Sequence, residues 1–94
     1  MKQGEIWQIG LDPAIGAEMK KTRPALIINV DALGKLPLKI IAPTKQNGLV
    51  KLSAVDCFQV RSIAIERFVI RIGFVEPEII TQVQEAISKV IGAL

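Results

Sequence analysis

Histidine and tyrosine are absent from this 94-residue chain, which also holds only one cysteine and one tryptophan. Without histidine, a Ser-His-Asp or Cys-His nucleophile cannot be assembled. The single Cys57 allows no internal disulfide, and we expect a buried, inert thiol in a reducing compartment. No group of Cys, Asp and Glu has the spacing of a metal site, so neither a metal nor another cofactor is expected.

Long apolar runs and glycine-rich phosphate loops are missing as well. No run approaches the roughly 20 residues that span a membrane, and no apolar signal segment follows the N-terminus. Gly10 and Gly16 lack the spacing of a nucleotide-binding loop. We therefore expect a soluble, cytoplasmic protein with no membrane partner.

What the chain does have is an aliphatic core and a small basic excess. Half of its residues are hydrophobic, which suffices for one core, so we expect a single domain over residues 1–94. Twelve Lys and Arg against nine Asp and Glu give a net charge of +3, and residues 1–61 hold nine of the cations and five of the anions. A polyanion could bind there, although a modest excess is also typical of a solvated surface.

The periodicity of apolar residues predicts five strands followed by one helix. The strands are expected at 4–11, 25–30, 36–42, 52–61 and 68–74, with a helical turn or tight connection over 62–66. Pro77 near the start and Gly92 near the end predict a C-terminal helix that packs one apolar stripe on the sheet. That stripe comprises Ile80, Val83, Ile87, Val90, Ile91 and Leu94. The expected fold class is mainly β with a C-terminal helix.

A charged segment leads directly into the second predicted strand. Its side chains include Glu18, Lys20, Lys21 and Arg23, and Thr44 follows the third strand. An arginine can hold a phosphate through two parallel hydrogen bonds, and a nearby carboxylate can accept a proton from a ribose 2′-hydroxyl. RNA cleavage by that hydroxyl needs neither a metal nor a protein nucleophile. On composition alone, a surface cation, a solvated ion pair and a turn hydroxyl are the commoner interpretations.

Two further side chains are candidates for ligand contacts. Gln59 and Arg61 are two positions apart in the fourth predicted strand. Alternation places both on one side of that strand, which composition alone makes a polar face towards water. We expect Trp7 in the core or in an interface rather than as a platform for stacking bases.

Motifs through nearly the whole chain resemble the MazF/PemK family of toxin endoribonucleases. They are Gly4-Glu5-Ile6-Trp7, Leu11-Asp12-Pro13 with Gly16 and Glu18, Arg23-Pro24 before an apolar strand, and Gln59-Val60-Arg61-Ser62-Ile63. The resemblance implies a small, twisted, partly closed β-barrel of the SH3-like or CcdB-like type. It also implies a homodimer whose interface forms an RNA channel, a cognate antitoxin, and metal-independent cleavage of single-stranded RNA, as by an mRNA interferase.

The resemblance assigns catalytic roles to Arg23 and Thr44, and a supporting or base role to Glu18. RNA contacts are then expected from Lys20, Lys21, Gln59 and Arg61. In the family pattern one residue separates the proline from the threonine, whereas Thr44 follows Pro43 directly and Lys45 holds the expected position. This departure matters because a shift of one residue reverses the side chains of a strand.

A second departure concerns the length of the chain after Thr44. Only the eight residues 45–52 separate Thr44 from Ser53, where the family has a longer loop and another strand. Either this is a trimmed member or the sequence omits residues there, and the unpaired edges that a lost strand would leave favour the omission. Two other functions stay open: a CcdB-like gyrase poison or inactive antitoxin-binding member, and a nucleic-acid-binding barrel that does not cleave RNA.

Overall fold

The computed structural model describes residues 1–10, 21–33, 36–45 and 54–93. Within them lies an antiparallel sheet of five strands: β1 (Glu5–Gly10), β2 (Thr22–Ile27), β3 (Leu38–Pro43), β4 (Arg61–Ala64) and β5 (Phe68–Phe74). The spatial order is β4-β3-β2-β1-β5, and the helix α1 (Pro77–Val90) follows. The predicted fold class is confirmed. In the described part of the chain the edge strands β4 and β5 do not pair with each other, so the sheet is not a closed barrel.

Most predicted elements are present, and three of them are displaced. β5 has the predicted bounds, and β1 and β3 differ from theirs by one or two residues. β2 begins at Thr22, three residues before the expected start. The prediction of a fourth strand over 52–61 is wrong, because the chain turns at 57–59 and β4 begins only at Arg61. The expected helical turn at 62–66 is strand as far as Ala64, followed by a 3-10 turn at Ile65–Arg67.

Pro24 lies inside a central strand, a place that proline usually avoids because it has no N–H for the ladder. Its carbonyl accepts a hydrogen bond from the Thr44 N–H at 3.1 Å, but it can return none. β3 ends at Pro43, one residue before this pair. The missing bond therefore falls where the ladder between β2 and β3 is already ending, and it interrupts no continuous pairing.

The sheet carries an apolar cluster on each face. We call the face with Leu26, Ala42 and the helical Val83 the helix face, and the face with Ala25 and Ile41 the far face. Successive residues of β2 alternate between the two clusters, as the two-residue period of a strand requires. Each fully buried Ile or Leu contributes about 1.5 to 3 kcal/mol by removal from water, so both clusters hold the backbone in place. The alternation also assigns a face to the polar residues at the strand ends.

The helix begins and ends with the signals that the sequence contains. Pro77 occupies the first turn with Glu76 before it. At the other end Gly92 has a φ of +78°, and the Ala93 N–H donates to the Ser88 carbonyl at 2.7 Å. This is the Schellman arrangement, in which glycine takes the left-handed conformation that stops the helix.

Only part of the predicted apolar stripe on α1 is covered by the sheet. Val83 is 1% exposed, whereas Val90 and Ile91 are 41% and 72% exposed. The packing prediction is therefore confirmed for the middle of α1 and wrong for its last turn, and Leu94 lies outside the described residues. No helix in the described ranges is long and apolar enough to cross a bilayer.

Candidate functional site

Cationic side chains gather at the end of the sheet where β1 ends and β2 begins. The antiparallel order brings the start of β5 to this end as well. Arg67 marks the end directly, because its guanidinium donates to the carbonyl of Gly10, the last residue of β1, at 3.3 Å. We call this set the cationic end, and it consists of Lys21, Arg23, Lys45 and Arg67.

Arg23 is the cation that the sheet holds most firmly. It pairs with Ile9 of β1, which is 2% exposed, and it precedes Pro24 and the fully buried Ala25. Because Ile9 belongs to the far-face cluster, its partner Arg23 lies on the far face too. The side chain is exposed, and its guanidinium donates to the Thr22 carbonyl at 3.0 Å. A rigid strand thus presents a solvent-facing guanidinium, as a binding site requires.

The pairing of β2 with β3 places a second cation opposite Arg23. The register runs from Ile27 opposite Ile41 to Ala25 opposite Pro43, and the hydrogen bond from Thr44 to Pro24 continues it. Extended by one more position, the same register sets Lys45, an exposed residue in the bend after β3, opposite Arg23. Like charges directly opposite each other destabilise a sheet. An anion bound between them would remove that penalty.

Thr44 lies beside Arg23 in the sheet, but on the other face. It is 8% exposed and forms a bridge with Val55, which belongs to the helix-face cluster, as does Ala42 two residues earlier. By alternation the Thr44 side chain is on the helix face, whereas Arg23 is on the far face. A backbone hydrogen bond therefore connects Thr44 to Pro24, the residue after Arg23, while the side chains of Thr44 and Arg23 lie on opposite faces of the sheet.

The other predicted contact residues are distributed unevenly. Lys21 is exposed immediately before β2. Arg61 is exposed opposite Ile41 on the far face, on the order of 15 Å from Arg23 by strand spacing and rise. Gln59 belongs to no strand, so the interpretation that Gln59 and Arg61 share one side of a strand is wrong. Glu18 and Lys20 lie outside the described residues.

Neither a metal cluster nor a reactive thiol accompanies the cations in the part of the chain that is described. No three His, Cys, Asp or Glu side chains come together there. Cys57 is a half-buried free thiol rather than a fully buried one. Burial and then the negative charge of Asp56 raise the pKa of this thiol, so it stays protonated near neutral pH and is a poor nucleophile.

The opposite end of β1 is organised around a carboxylate. Glu5 accepts hydrogen bonds from the Trp7 Nε1–H at 3.0 Å, from the Lys2 N–H at 2.9 Å and from Arg71 at 3.3 Å. Burial alone would raise the pKa of Glu5, but these hydrogen bonds, with the N-terminal charge, outweigh it and lower that pKa. We call Lys2, Glu5, Trp7 and Arg71 the anchored end. Trp7 also meets Phe68 edge to face at 5.9 Å, so its predicted packing role is confirmed.

Two residues enter the candidate site that the sequence did not single out for binding. Lys45 is one. Only the strand register identifies it as a site residue, and the sequence alone does not show that register. Phe58 is the other, with 83% of its surface exposed beside the start of β4. The only sequence signal for Phe58 is Asp56, whose carboxylate accepts the Phe58 N–H at 3.1 Å in a turn of the type that Asp favours.

The sheet and its charges define a small basic β domain with cations gathered at one end. The chain belongs to the PemK-like, MazF-like toxins of type II toxin-antitoxin systems, whose family model matches residues 2–91. It is 36% identical over 110 residues to endoribonuclease MazF9 of Mycobacterium tuberculosis, covering 94% of this chain and 93% of MazF9. It is 39% identical over 49 residues to endoribonuclease PemK of Escherichia coli, covering 51% of this chain and 37% of PemK.

A solved structure shows the same fold. It is an endoribonuclease in complex with its cognate antitoxin from a mycobacterial species, with a TM-score of 0.75 at 12% identity, over 98% of this chain and 95% of the other. The MazF9 alignment of 110 residues exceeds the 94 residues of this chain by 16, so MazF9 is the longer protein within the matched region. The predicted family and fold are thus confirmed.

Proposed function

We propose that this chain is the toxin of a type II toxin-antitoxin pair and a metal-independent endoribonuclease that cleaves single-stranded RNA. The observation that carries the proposal is the exposed Arg23, held on a strand beside the buried Ile9 and Ala25, with the exposed Lys45 just beyond the end of the neighbouring strand β3. Two cations placed in this way suit a phosphate, which Arg23 can hold with two parallel hydrogen bonds. Family membership and the endoribonuclease names of the relatives support the same activity.

The chemistry is transfer of the phosphoryl group to the neighbouring hydroxyl. The ribose 2′-oxygen attacks phosphorus, and Glu18, as general base, takes the proton of that hydroxyl. The bond from phosphorus to the 5′-oxygen breaks, and a proton from Arg23 or from water completes the 5′-hydroxyl. A 2′,3′-cyclic phosphate remains on the other product. Arg23 stabilises the charge that builds on the phosphoryl oxygens, a contribution worth about 10² to 10³ in rate for one preorganised donor.

The remaining predicted residues take supporting roles. Thr44 orients the phosphate site. The hydrogen bond from its N–H to the Pro24 carbonyl, at 3.1 Å, supports an effect through the backbone. Lys20, Lys21 and Arg61 bind neighbouring phosphates of an extended strand, since Arg61 and Arg23 are too far apart to share one. Gln59 contacts RNA beyond the phosphate site.

The proposal includes two protein partners, a second copy of this chain and a cognate antitoxin, and it places the single domain in the cytoplasm. Support for a homodimer comes from β5, an edge strand in the described part of the sheet on which Val69, Ile70 and Phe74 are 49% to 71% exposed. A long apolar edge is a site at which strands of another chain can pair. The net charge of +3 suits an acidic partner.

Cleavage in excess chelator tests the enzyme. A labelled single-stranded RNA is incubated with the pure protein, with Arg23→Ala, and with Arg71→Ala as a matched control from the anchored end. We expect the Arg23 variant to lose about 10² to 10³ in rate and the Arg71 variant to keep its rate. The new 5′ ends should accept phosphate from a polynucleotide kinase without prior phosphatase treatment. An unmodified chain that leaves RNA intact, or equal rates for all three proteins, contradicts the proposal.

A further inference from the structure

A cavity of about 390 Å³ opens beside the cationic end, between the 54–58 segment and the last turns of α1. Lys45 lines this cavity and lies at the cationic end. The cavity itself is on the helix face, with Val55 and Ala86, whereas Arg23 is on the far face.

Two interstrand spacings separate the strand of Arg23 from the cavity. The hydrogen bond from Thr44 to Pro24 spans the first, and the one from Lys45 to Ala54 spans the second. These amount to about 10 Å within the sheet. Because the RNA strand must also pass around the end of the sheet from the far face to the helix face, the phosphate at Arg23 and the base in the cavity belong to nucleotides that are not adjacent.

We propose that this cavity receives one base of the RNA strand whose phosphate lies at Arg23, and that it selects a base with an exocyclic amino group. Phe58 stacks on the ring and the Asp56 carboxylate accepts the hydrogen bond of the amino group. This inference rests on the proposed function, and it adds the part of the chain that distinguishes one RNA base from another.

The walls of the cavity suit a base better than a phosphate. Asp56 contributes a carboxylate, and α1 ends at Val90, so the negative end of the helix dipole borders the same space. Both features repel an anion and attract hydrogen-bond donors. The remaining wall is apolar, with Ala54, Val55 and Ala86. Carboxylates are the side chains that accept from the amino group of cytosine.

Phe58 is exposed and yet held in place. Its N–H donates to the Asp56 carboxylate at 3.1 Å, and the Asp56 N–H donates to the Pro43 carbonyl at 2.8 Å. The turn is therefore fixed to the end of β3 and presents an 83% exposed ring. Stacking of one base on an aromatic side chain typically changes affinity by about 5- to 100-fold. Gln59, the next residue, is exposed beside the ring.

Binding of oligonucleotides that cannot be cleaved tests the base site. The probes are short single-stranded RNAs with every 2′-hydroxyl replaced by fluorine and one base varied at a time, and the readout is fluorescence anisotropy. We expect Phe58→Ala to weaken binding by about 5- to 100-fold and to abolish base preference at one position. Phe58→Trp should restore both. Val30→Ala removes a 47% exposed apolar side chain beyond the end of β2 and should change neither.

A second variant tests the charge of the Asp56 carboxylate while keeping the hydrogen bond that stabilises its turn. Asp56→Asn keeps the oxygen that accepts the Phe58 N–H, but it replaces the other acceptor with a donor. We expect this variant to prefer a carbonyl-bearing base at the same position, while the affinity for the rest of the strand changes by less than about 3-fold.

The outcomes are distinguishable. If the unmodified chain cleaves RNA and Phe58→Ala keeps its full affinity and base preference, the base site is wrong and the proposed function survives. If Phe58→Ala loses affinity for an antitoxin peptide but not for RNA, the cavity serves a protein partner and the inference is also wrong. If the unmodified chain neither binds nor cleaves RNA, both the proposed function and the inference fail.

Discussion

Two arginines on the same small sheet are used in opposite ways. At the anchored end Arg71 donates to Glu5 at 3.3 Å, and Glu5 in turn accepts from Trp7 and from the Lys2 N–H. At the cationic end Arg23 donates to the carbonyl of its own neighbour Thr22. In the described ranges no carboxylate forms an ion pair with Arg23 or Lys45.

The difference shows where the charges of the sheet are paired within the protein and where they are exposed to solvent. The ion pair and hydrogen bonds at Glu5 satisfy each charge within the protein, so they contribute to stability. At the cationic end the exposed Arg23 and Lys45 have no carboxylate partner in the described ranges, so they add no such stability. A net charge of +3 does not reveal this division, since the same residue types serve both ends.

Arg23→Lys is the sharpest test of the contrast between the two arginines. Lysine keeps the positive charge but cannot form two parallel hydrogen bonds to a phosphate. We expect cleavage of single-stranded RNA to slow by about 10- to 100-fold at unchanged thermal stability. Arg71→Lys is the control and should cleave at the original rate. Equal rates for Arg23→Lys and the unmodified chain would mean that charge alone suffices at this position.

Local patterns predict much of this fold. β5 and α1 are found where alternation and helix-end residues place them, and Gly92 ends the helix as expected. The fourth strand is misplaced because Val55, Phe58 and Val60 look like strand residues, while the Asp56 side chain turns the chain back. A single side-chain hydrogen bond thus overrides the apolar pattern of a whole segment.

The site is harder to predict than the fold, because it depends on register. The sequence identifies Arg23 through its place before Pro24, and the structure puts it on an exposed strand end. Whether Thr44 or Lys45 faces Arg23 is decided by the pairing of β2 with β3, in which one step reverses every side chain. The exposed ring of Phe58 depends on how the turn at 56–59 docks, which no local pattern encodes.

Glu5→Gln probes the anchored end, with an effect on stability rather than on cleavage. The folded state lowers the pKa of Glu5, so its carboxylate stabilises the fold above the unfolded pKa of about 4.3. We expect the variant to lose about 1 kcal/mol at pH 7, a fall of roughly 4 to 8 °C in Tm. The difference should shrink as pH falls below about 4, because the unmodified carboxylate then protonates.

The control for this experiment is Glu78→Gln, an exposed change in the first turn of α1. Its effect should be smaller than that of Glu5→Gln at pH 7. Cleavage of RNA by Glu5→Gln should proceed at the original rate at temperatures where the variant is folded. A stability loss that does not change with pH would mean that the neutral hydrogen bonds, and not the charge, hold this end together.

Lys45→Ala has the smallest expected effect. It tests whether Lys45 contacts an RNA phosphate or has only a structural role. Each phosphate contacted on a single strand contributes about 0.7 to the slope of log affinity against log salt, because a bound cation releases counterions. Removing Lys45 should lower the slope for an uncleavable single-stranded RNA by about 0.7. Lys2→Ala removes a charge at the anchored end and should leave the slope unchanged. Equal decreases for the two variants would mean that the net charge, rather than the pair at Arg23, attracts RNA, and the contrast between the ends would then not extend to binding.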